Sequence, residues 1–430
     1  MISRVLSADL PQHVGERVTI SGWLHRRREL KSVTFLIIRD RAGLAQVVLP
    51  QGAAWDLPEE TVLQVEGMVT ASEKAPGGVE VTAPALTALS GPAAPPPFDL
   101  YRPTLTSSLP TILDHAPTTL RHPQLRAGFT VSAASVAGFR AALDALDFTE
   151  VFTPKIVESA TESGANVFSL DYFGRPAYLA QSPQFFKQAL VGVFERVYEV
   201  APAFRAEPSD TVRHLAQFTS LDAELGFITD HHDVMAVCRD AVAGMVTSVS
   251  ERARSEINRL GASLPMVPEQ IPHVHFADAM ELISRATGED VTGEVDLAPQ
   301  HERWLCEWSA REHGSELLFV HGYPLESKPF YTYPDPERPR YSYGFDLLFR
   351  GTEIVSGGQR LHRHEDYVAA LAARGEPLGP YAGYLQVFEH GMPPHGGFAI
   401  GLERWTARLT GIANVRQVSL FPRDLHRLSP

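Results

Sequence analysis

Charged side chains cluster around one predicted turn in the middle of the chain, in the run APAFRAEPSDTVRHLAQFTSLDAE at residues 201–224. Arg205 and Glu207 end an apolar, strand-like run, and residues 208–211 (PSDT) have the composition of a chain reversal. The returning run carries Arg213, His214, Gln217, Phe218, Asp222 and Glu224. This hairpin is either a surface hairpin with solvated charges or a site for a polyanion with a flat ring, because the arginine fork suits phosphate oxygens.

A second run, YGFDLLFRGTEIVSGGQRLHR, carries two carboxylates and a hydroxyl at Asp346, Glu353 and Ser356. Next to a phosphate site these oxygen ligands suit Mg²⁺, which prefers oxygen and keeps waters and substrate phosphates in its shell. The alternative is an acidic loop balanced by Arg350 and Arg360.

A third run, PPHGGFAIGLERWTARL at residues 393–409, combines a Gly-rich turn, a strand and a predicted helix start. Arg404 lies at that helix start, where it could bind a phosphate. A Gly-rich run alone is weak support for a phosphate site, and the arginine leaves the assignment ambiguous.

Length and composition limit what these residues can belong to. At 430 residues the chain exceeds one usual core, so two domains are expected. A formal charge of −13 argues against a generic nucleic-acid coat, so any RNA contact needs local basic patches. Cys238 and Cys306 are too few for a disulfide framework or a zinc site. No signal peptide and no membrane-spanning apolar run are visible, which predicts a cytoplasmic protein without membrane contact.

The N-terminal elements, residues 1–95, are predicted to form a small β-barrel of the oligonucleotide-binding (OB) type, from short strands with period-2 alternation. Such barrels bind single strands by stacking bases on exposed aromatics beside a basic groove. The basic run HRRR at 25–28 supplies charge, Trp23 and Phe35 are candidate stacking residues, and Gln46 could contact a base edge. The alternative is that Trp23 and Phe35 are core residues.

Residues 96–127 are rich in proline and are predicted to be a stiff hinge or linker. Residues 128–430 are predicted to form an α+β domain with an antiparallel β-sheet flanked by helices, because strands and helices do not alternate regularly. A turn is predicted at residues 356–358 (SGG). Predicted helices cover residues 129–147, 231–258 and 275–287, most of 181–195, and the run HEDYVAALAARG.

Together these stretches resemble the signatures of class II aminoacyl-tRNA synthetases of the aspartyl, asparaginyl and lysyl subgroup. FTEVFTPKIV with Pro154 is similar to the first signature, which builds the dimer interface, FRAEPSDTVRHLAQFTSLDAE to the second, and GGFAIGLERW to the third. The resemblance runs nearly end to end and is strongest to the compact archaeal/eukaryotic aspartyl type. It implies an OB-fold anticodon-binding domain and a class II catalytic domain that acts as a homodimer.

Within the subgroup, the run LAQSPQFFKQ resembles the aspartyl pattern at Gln184 and Lys187, whereas asparaginyl enzymes lack that lysine. A negatively charged substrate side chain needs cations and an amide does not, so Lys187 and Arg360 are predicted to bind the β-carboxylate of L-aspartate. A lysyl enzyme would instead place carboxylates at the pocket floor. The alternative for Lys187 is a solvated helix lysine.

The resemblance implies ATP-dependent activation of L-aspartate, with Mg²⁺, followed by transfer to tRNA. Arg205 and Arg404 are then expected to be catalytic. The implied aspartate-binding residues are Glu162, Ser163, Gln184, Lys187, Arg205, Asp222, Ser356 and Arg360. The implied ATP-binding residues are Arg205, Glu207, Arg213, His214, Leu215, Phe218, Glu353, Gly401 and Arg404. The implied metal ligands are Glu353, Ser356 and Asp346. The implied anticodon-binding residues are Arg28, Phe35, Gln46 and Glu80.

The choice between tRNA(Asp) alone and both tRNA(Asp) and tRNA(Asn) rests on conflicting indications. His25 and Pro76 resemble the strict form of archaeal relatives, whereas compact bacterial relatives are often relaxed and supply an amidotransferase that makes asparaginyl-tRNA. The prediction is relaxed charging of both tRNAs. The alternatives are an asparaginyl enzyme and a synthetase paralogue that does not charge tRNA.

Overall fold

A computed structural model of the chain describes residues 4–50, 57–159 and 166–429. It divides into two compact units, Met1–Ile112 and Leu113–Pro430. The predicted proline-rich linker, 96–127, spans this division.

The first unit is a closed five-stranded barrel with strand order β1-β2-β3-β5-β4. Its strands are β1 Arg17–Glu29, β2 Val33–Arg39, β3 Leu44–Pro50, β4 Val62–Ala71 and β5 Val79–Ala88. Alternate apolar residues of every strand point inward into one core, which is why the period-2 pattern predicted strands here. Short 3₁₀ helices cover Ser7–His13 and Pro76–Gly78.

The second unit surrounds one large sheet with helices. Its first half contains α1 Leu109–Asp114, α2 Ala116–Thr119, α3 Pro123–Asp144, β6 Thr149–Glu150, β7 Ile156–Val157, β8 Ser169–Tyr172, β9 Arg175–Leu179, α4 Gln184–Phe194, β10 Arg196–Phe204, β11 Gln217–Gly226, α5 His231–Arg252 and α6 Arg254–Arg259. Its second half contains β12 His273–His275, α7 Phe276–Thr287, α8 Pro299–His313, β13 Leu317–His321, β14 Gly344–Phe349, β15 Thr352–Gln359, α9 His364–Ala373, α10 Ala382–Leu385, β16 His395–Gly401 and α11 Leu402–Thr410.

The large sheet has eight strands in the order β12-β13-β14-β15-β16-β11-β10-β6, and β7, β9 and β8 form a separate small sheet. Neighbouring strands of the large sheet are antiparallel except for the edge pairs β12/β13 and β10/β6, so the predicted antiparallel α+β architecture is confirmed. Helices α3 and α5 pack at close range where Gly138 meets Gly244, because a Cβ on Gly138 would lie 2.3 Å from the Gly244 carbonyl oxygen.

One local prediction is wrong, and one helix has no counterpart among the predictions. The SGG run at 356–358 does not turn but continues β15, and its glycines are needed because neighbours approach closely: a Cβ on Gly357 would lie 2.5 Å from the Phe345 ring. Helix α8 was not predicted, and its polar sequence (PQHERWLCEWSAREH) buries only a narrow stripe that includes Leu305 and Cys306. In the part of the chain that the structure describes, no helix has both the length and the apolar character needed to cross a membrane.

Candidate active site

The β10–β11 hairpin brings the first predicted residues together. Its strands pair from Arg196↔Leu225 to Phe204↔Gln217, and Arg205 N–H donates to the Ala216 carbonyl at 2.9 Å, so Arg205 lies directly beyond the paired region. The Arg205 guanidinium carbon lies 5.4 Å from the centre of the Phe218 ring. A cation and an aromatic face are therefore placed side by side at the loop end of the hairpin.

Arg213 and His214 lie in the loop before β11 and not on a returning strand. Arg213 Nη1 donates to Glu302 Oε2 at 3.0 Å, and His214 Nδ1 is 2.6 Å from Thr211 Oγ1. Burial, and then the charges of Arg404 and Arg213, lower the pKa of His214. The imidazole is therefore neutral at pH 7, so the positive charge of this loop comes from its arginine.

A buried network of four alternating charges forms one end of the site. Lys187 Nζ, on the first turn of α4, is 3.0 Å from Asp222 Oδ1 and 3.3 Å from Glu224 Oε2, and Arg360 Nε donates to Glu224 Oε1 at 3.0 Å. Each of the four residues is at most 6% exposed. Burial alone would raise the pKa of the Glu224 carboxyl, but Arg360 and Lys187 hold it below its ordinary value. We call these four residues the floor network.

The predicted cations are therefore already paired. Lys187 contacts Asp222 and Glu224, and Arg360 also donates from Nη2 to the Gly397 carbonyl at 3.0 Å. Gln184, one turn before Lys187, donates through Nε2 to Gln188 Oε1 at 3.0 Å. These contacts fix the side chains before any substrate arrives, which is the preorganisation that selective binding needs.

Glu353 and Arg404 meet at the other end of the site. Arg404 Nη1 donates to the Glu353 carbonyl at 3.1 Å and lies 3.6 Å from Glu353 Oε2. Loss of water from around the Glu353 carboxyl raises its pKa, which Arg404 opposes and the charge of Asp346 reinforces. Ser356 lies on the same strand, opposite Asp346 of β14, so those two side chains share one face of the sheet.

Asp346 lines a smaller adjoining cavity of about 160 Å³ rather than the main one. Its two carboxylate oxygens each lie 3.1 Å from Lys328 Nζ. Asp296, Glu302 and Glu353 line the same small cavity. This is a crowded set of carboxylate oxygens, and its chemistry suits a hard divalent cation.

One cavity of about 340 Å³ joins these parts. Its lining includes every predicted ATP- or aspartate-binding residue that the structure describes: Gln184, Lys187, Arg205, Glu207, Arg213, His214, Leu215, Phe218, Asp222, Glu353, Ser356, Arg360, Gly401 and Arg404. Glu162 and Ser163 lie outside the described residues. A cavity of this size with cations at both ends can enclose a zwitterion joined to a polyphosphate.

Several lining residues were not assigned a role from the sequence, namely Gln181, Ser182, Lys328, Tyr331 and Glu403, together with Glu224 of the floor network. A signal existed for Glu224, because Ser220, Asp222 and Glu224 alternate with the core residues Leu221 and Ala223. Lys328 lies in irregular chain after β13, so no periodicity could have indicated it.

On the barrel, the four predicted anticodon residues share its outer face. Arg28 pairs directly with Phe35 across β1 and β2, and Gln46 pairs with Glu80 across β3 and β5. The neighbours of Phe35, Gln46 and Glu80 along each strand point into the core instead. Phe35 is half-buried, and Gln46 Nε2 donates to Glu80 Oε2 at 2.9 Å. An aromatic ring, a cation and an amide–carboxylate pair thus lie on one surface.

The two residues predicted to discriminate between tRNAs differ in setting. His25 is 7% exposed, with Nδ1 3.0 Å from Arg39 Nη1 and its ring edge-to-face with Tyr101. Arg39 is in turn bidentate to Glu60 at 2.8 and 2.7 Å. Pro76 is exposed, at the start of the 3₁₀ turn before β5. His25 is thus held within a buried cluster, whereas Pro76 is open to solvent.

Comparison with known proteins gives consistent matches over the whole chain. Residues 108–425 match the family tRNA synthetases class II (D, K and N), and residues 18–89 match the OB-fold nucleic acid binding domain. The chain is 47% identical over 427 residues to the aspartate–tRNA(Asp/Asn) ligase of Thermus thermophilus, covering 99% of this chain and 100% of the relative. It is 45% identical over 438 residues to the aspartate–tRNA(Asp/Asn) ligase of Deinococcus radiodurans, with 100% and 99% covered.

Among solved structures, it is similar to the asparaginyl-tRNA synthetase of Pyrococcus horikoshii in complex with asparaginyl-adenylate. The TM-score is 0.92 and the sequence identity 32%, with 100% of each chain covered.

Proposed function

The chain belongs to the class II tRNA synthetases of the D, K and N group, and we propose that it is an aspartate–tRNA ligase. It activates L-aspartate with ATP and transfers the aspartyl group to the 3′ end of tRNA(Asp) and tRNA(Asn). The observation that carries this proposal is the 340 Å³ cavity, which has the floor network at one end and phosphate-binding side chains at the other.

In the first step, an α-carboxylate oxygen of aspartate attacks the α-phosphorus of ATP in line. The new O–P bond forms as the bond to the bridging oxygen of the β-phosphate breaks, and pyrophosphate leaves. No protein nucleophile is needed, so positioning and charge neutralisation supply the rate. Arg205 is proposed to bridge the α-phosphate and the attacking carboxylate, because its guanidinium lies against the Phe218 ring and its side chain lines the same cavity as Lys187 and Arg360.

The nucleotide is assigned to the loop end of the hairpin. Adenine stacks on Phe218, with the Arg404 guanidinium on its other face, and Glu207 accepts from the adenine amino group. Arg213 and His214 contact the outer phosphates from the loop before β11. Leu215 and Gly401 line the same part of the cavity and complete its wall.

Glu353 and Ser356 are the residues that would bind Mg²⁺, because both line the main cavity and offer oxygen ligands. Asp346 lines the smaller cavity and is paired with Lys328, so it would approach the ion from that cavity. When bound, the ion would neutralise charge on the departing pyrophosphate.

Selection of aspartate is assigned to the floor network. Lys187 and Arg360 would receive the β-carboxylate, Asp222 the α-ammonium group, and Gln184 would add a polar contact. A neutral asparagine side chain cannot form the charge-assisted hydrogen bonds that a β-carboxylate can form with Lys187 and Arg360, and such bonds are about twice as strong as neutral ones. Glu162 and Ser163 are proposed, from the resemblance alone, to contribute to aspartate binding.

In the second step, a hydroxyl of the terminal ribose of tRNA attacks the aspartyl carbonyl carbon, and AMP leaves with the electron pair of the mixed-anhydride bond. The outer face of the barrel is proposed to bind the anticodon, with Phe35 stacking on a base and Gln46, Glu80 and Arg28 contacting base edges and phosphates. Because ribosomes consume charged tRNA, this function implies the cytoplasm.

Relaxed charging would produce aspartyl-tRNA(Asn), which must be amidated before use. An amidotransferase acting on the tRNA-bound β-carboxylate is therefore the proposed partner. His25 and Pro76 oppose this assignment by their resemblance to strict relatives. Charging of purified tRNA(Asn) with labelled aspartate tests it directly, and absence of charging would restrict the substrate to tRNA(Asp).

A homodimer is also proposed, through α3 and the first signature. Phe152, directly after β6, is 82% exposed, and Leu420 is 58% exposed beside a groove of about 740 Å³ along α3. Apolar groups this exposed are typical of a surface covered by another chain. Light scattering at micromolar concentration should give twice the chain mass, and Phe152→Asp should lower it.

ATP–pyrophosphate exchange tests the activation step. We expect exchange with aspartate and none with asparagine. Exchange with asparagine alone would identify an asparaginyl enzyme, and no exchange with either would identify a paralogue that does not charge tRNA. Arg205→Ala should abolish exchange, whereas Arg196→Ala on the same hairpin, whose side chain contacts the Leu146 carbonyl instead, should retain it.

A further inference from the structure

Five histidines, distant in sequence, come together at one edge of the large sheet. His231 and His232 begin α5, His273 and His275 lie on β12, and His321 ends β13. The parallel pairing of β12 with β13 places His275 opposite His321. None of the five lines the 340 Å³ cavity, and the proposed function uses none of them.

Three of these imidazoles are at the spacing of metal ligands. His231, His232 and His321 each offer one ligand atom, and these atoms lie within 4.8 Å of one another. His231 Nε2 is 3.1 Å from His321 Nδ1. Around tetrahedral Zn²⁺ with bonds of about 2.0–2.1 Å, ligand nitrogens are about 3.3 Å apart. This pair is thus already close to ligand spacing, and His232, half exposed, can rotate to approach it.

The surrounding contacts orient two of the rings. Asp230 Oδ1 accepts from His232 Nδ1 at 3.0 Å, which leaves the Nε2 lone pair of His232 available. His321 Nε2 is 3.3 Å from His273 Nδ1, so its other nitrogen, Nδ1, faces His231. A carboxylate or another acceptor on the far nitrogen is the usual arrangement behind a histidine that binds a metal ion.

His231 has an unsatisfied buried atom. It is 4% exposed, and its Nδ1 has no hydrogen-bond partner among residues 4–50, 57–159 and 166–429. The other nitrogen of this ring, Nε2, faces His321 and is the one offered to a metal ion.

We propose that His231, His232 and His321 form a binding site for a divalent late transition-metal ion of the Zn²⁺ class, with water in the fourth position. Imidazole ligands select such ions over Mg²⁺, which prefers oxygen. The bound ion connects the N-terminus of α5 to the end of β13, two points 90 residues apart in sequence. From the sequence, Cys238 and Cys306 alone are too few for a zinc site, whereas the ligands proposed here are histidines.

Titration of the full-length chain with ZnCl₂ in excess MgCl₂ tests the site, because Mg²⁺ fills the oxygen sites and leaves imidazoles free. We expect one Zn²⁺ per chain and a rise in the thermal midpoint. His232→Ala and His321→Ala should each weaken binding at least tenfold and remove that rise. His390→Ala, an exposed histidine of the same unit, should change neither.

His321 is partly buried, so its variant could unfold, whereas His232 is exposed and its variant should fold. Circular dichroism identifies any unfolded variant, and His232→Ala then decides alone. Aspartate-dependent exchange by His232→Ala should equal that of the wild type, because the site is separate from the cavity. Absence of Zn²⁺ binding, or binding that His232→Ala leaves unchanged, would overturn the proposal.

Discussion

Single residues of the floor network show how charge is used in this site. Asp222, Lys187, Glu224 and Arg360 alternate in sign and are almost fully buried. A buried charge without a partner costs several kcal/mol, so each member depends on its neighbours. Substitution of one member should therefore have a large energetic cost, because it leaves a buried charge without its partner.

We predict that Lys187→Met lowers kcat/KM for aspartate by about 30-fold or more, because truncating one partner of a buried charge pair costs about 2–5 kcal/mol. Aspartate-dependent pyrophosphate exchange measures it. Lys155→Met is the matched control, since it breaks the comparable contact of Lys155 with buried Glu199 at 2.8 Å, outside the cavity. Equal losses in the two variants would contradict a role in binding aspartate.

Glu403 predicts a pH dependence of stability. Burial raises the pKa of Glu403 from its ordinary value of 4.5 to about 7, although its oxygens accept from the Thr219 N–H at 3.0 Å. Between these two pH values the folded state binds more protons than the unfolded one, so this carboxyl makes stability fall as pH rises. The loss is complete above about pH 7 and is at most about 3 kcal/mol.

Glu403→Gln should remove that loss, because glutamine still accepts from Thr219 and does not ionise. Urea unfolding at pH 5 and pH 8 of both proteins measures the effect, and all other groups cancel in the difference. We expect the variant to gain stability relative to the wild type as pH rises. A difference that is constant with pH would show that Glu403 is ionised in the folded state throughout.

At the scale of elements, the hairpin loop is anchored by a residue outside the hairpin. Arg416 donates from Nη2 to Asp210 Oδ1 at 2.8 Å and from Nη1 to the Thr211 carbonyl at 2.9 Å, and also binds Asp424. Arg213 and His214 follow directly in the same loop. The position of the two residues proposed to contact the phosphates thus depends on a side chain that does not line the cavity.

Arg416→Ala should raise KM for ATP about tenfold with a smaller change in kcat, the size expected for loss of a charge-assisted hydrogen bond. Arg427→Ala is the control, because Arg427 binds Asp114 at 2.7 Å instead of the loop. Exchange at varied ATP separates KM from kcat. An unchanged KM would mean that the loop keeps its position without Arg416.

The same elements show what sequence could and could not predict. The hairpin, α4 and the barrel strands followed from local periodicity, and the resemblance brought Lys187, Arg360 and Arg404 to one site. The SGG run predicts a turn because glycine usually marks one. In the structure, Gly357 lies in a strand, and a larger residue is excluded there because Phe345 of another strand approaches closely. Gly397 is similar, since a Cβ there would lie 2.0 Å from Glu224 Oε2. Contacts between distant strands leave no local signal.

At the scale of the whole molecule, the two units have separate cores, and the proposed roles divide between them. Activation of aspartate needs only cavity residues of the second unit, whereas the anticodon face lies on the first. A change on the outer face of the barrel should therefore affect the tRNA step alone. Because the net charge of −13 opposes general attraction of RNA, any binding of tRNA depends on local contacts such as those proposed for that face.

Phe35→Ala should lower kcat/KM for aminoacylation of tRNA about 10- to 100-fold, since stacking on one aromatic is worth about 1–3 kcal/mol, and should leave pyrophosphate exchange unchanged. Val14→Ala, a half-exposed apolar change elsewhere on the barrel, should alter neither activity. Parallel loss of exchange and aminoacylation in Phe35→Ala would contradict the division of the two roles between the two units.

Strand β11 sets a distance within the site. Phe218, Ser220, Asp222 and Glu224 all point to the cavity side of the sheet, while Leu221, Ala223 and Leu225 lie in the core. At about 3.4 Å per residue, the adenine position and the end of the amino-acid pocket are separated by about 20 Å of rigid backbone. A longer acid would have to fit within that fixed length, so we expect glutamate, one methylene longer than aspartate, to support less pyrophosphate exchange than aspartate does.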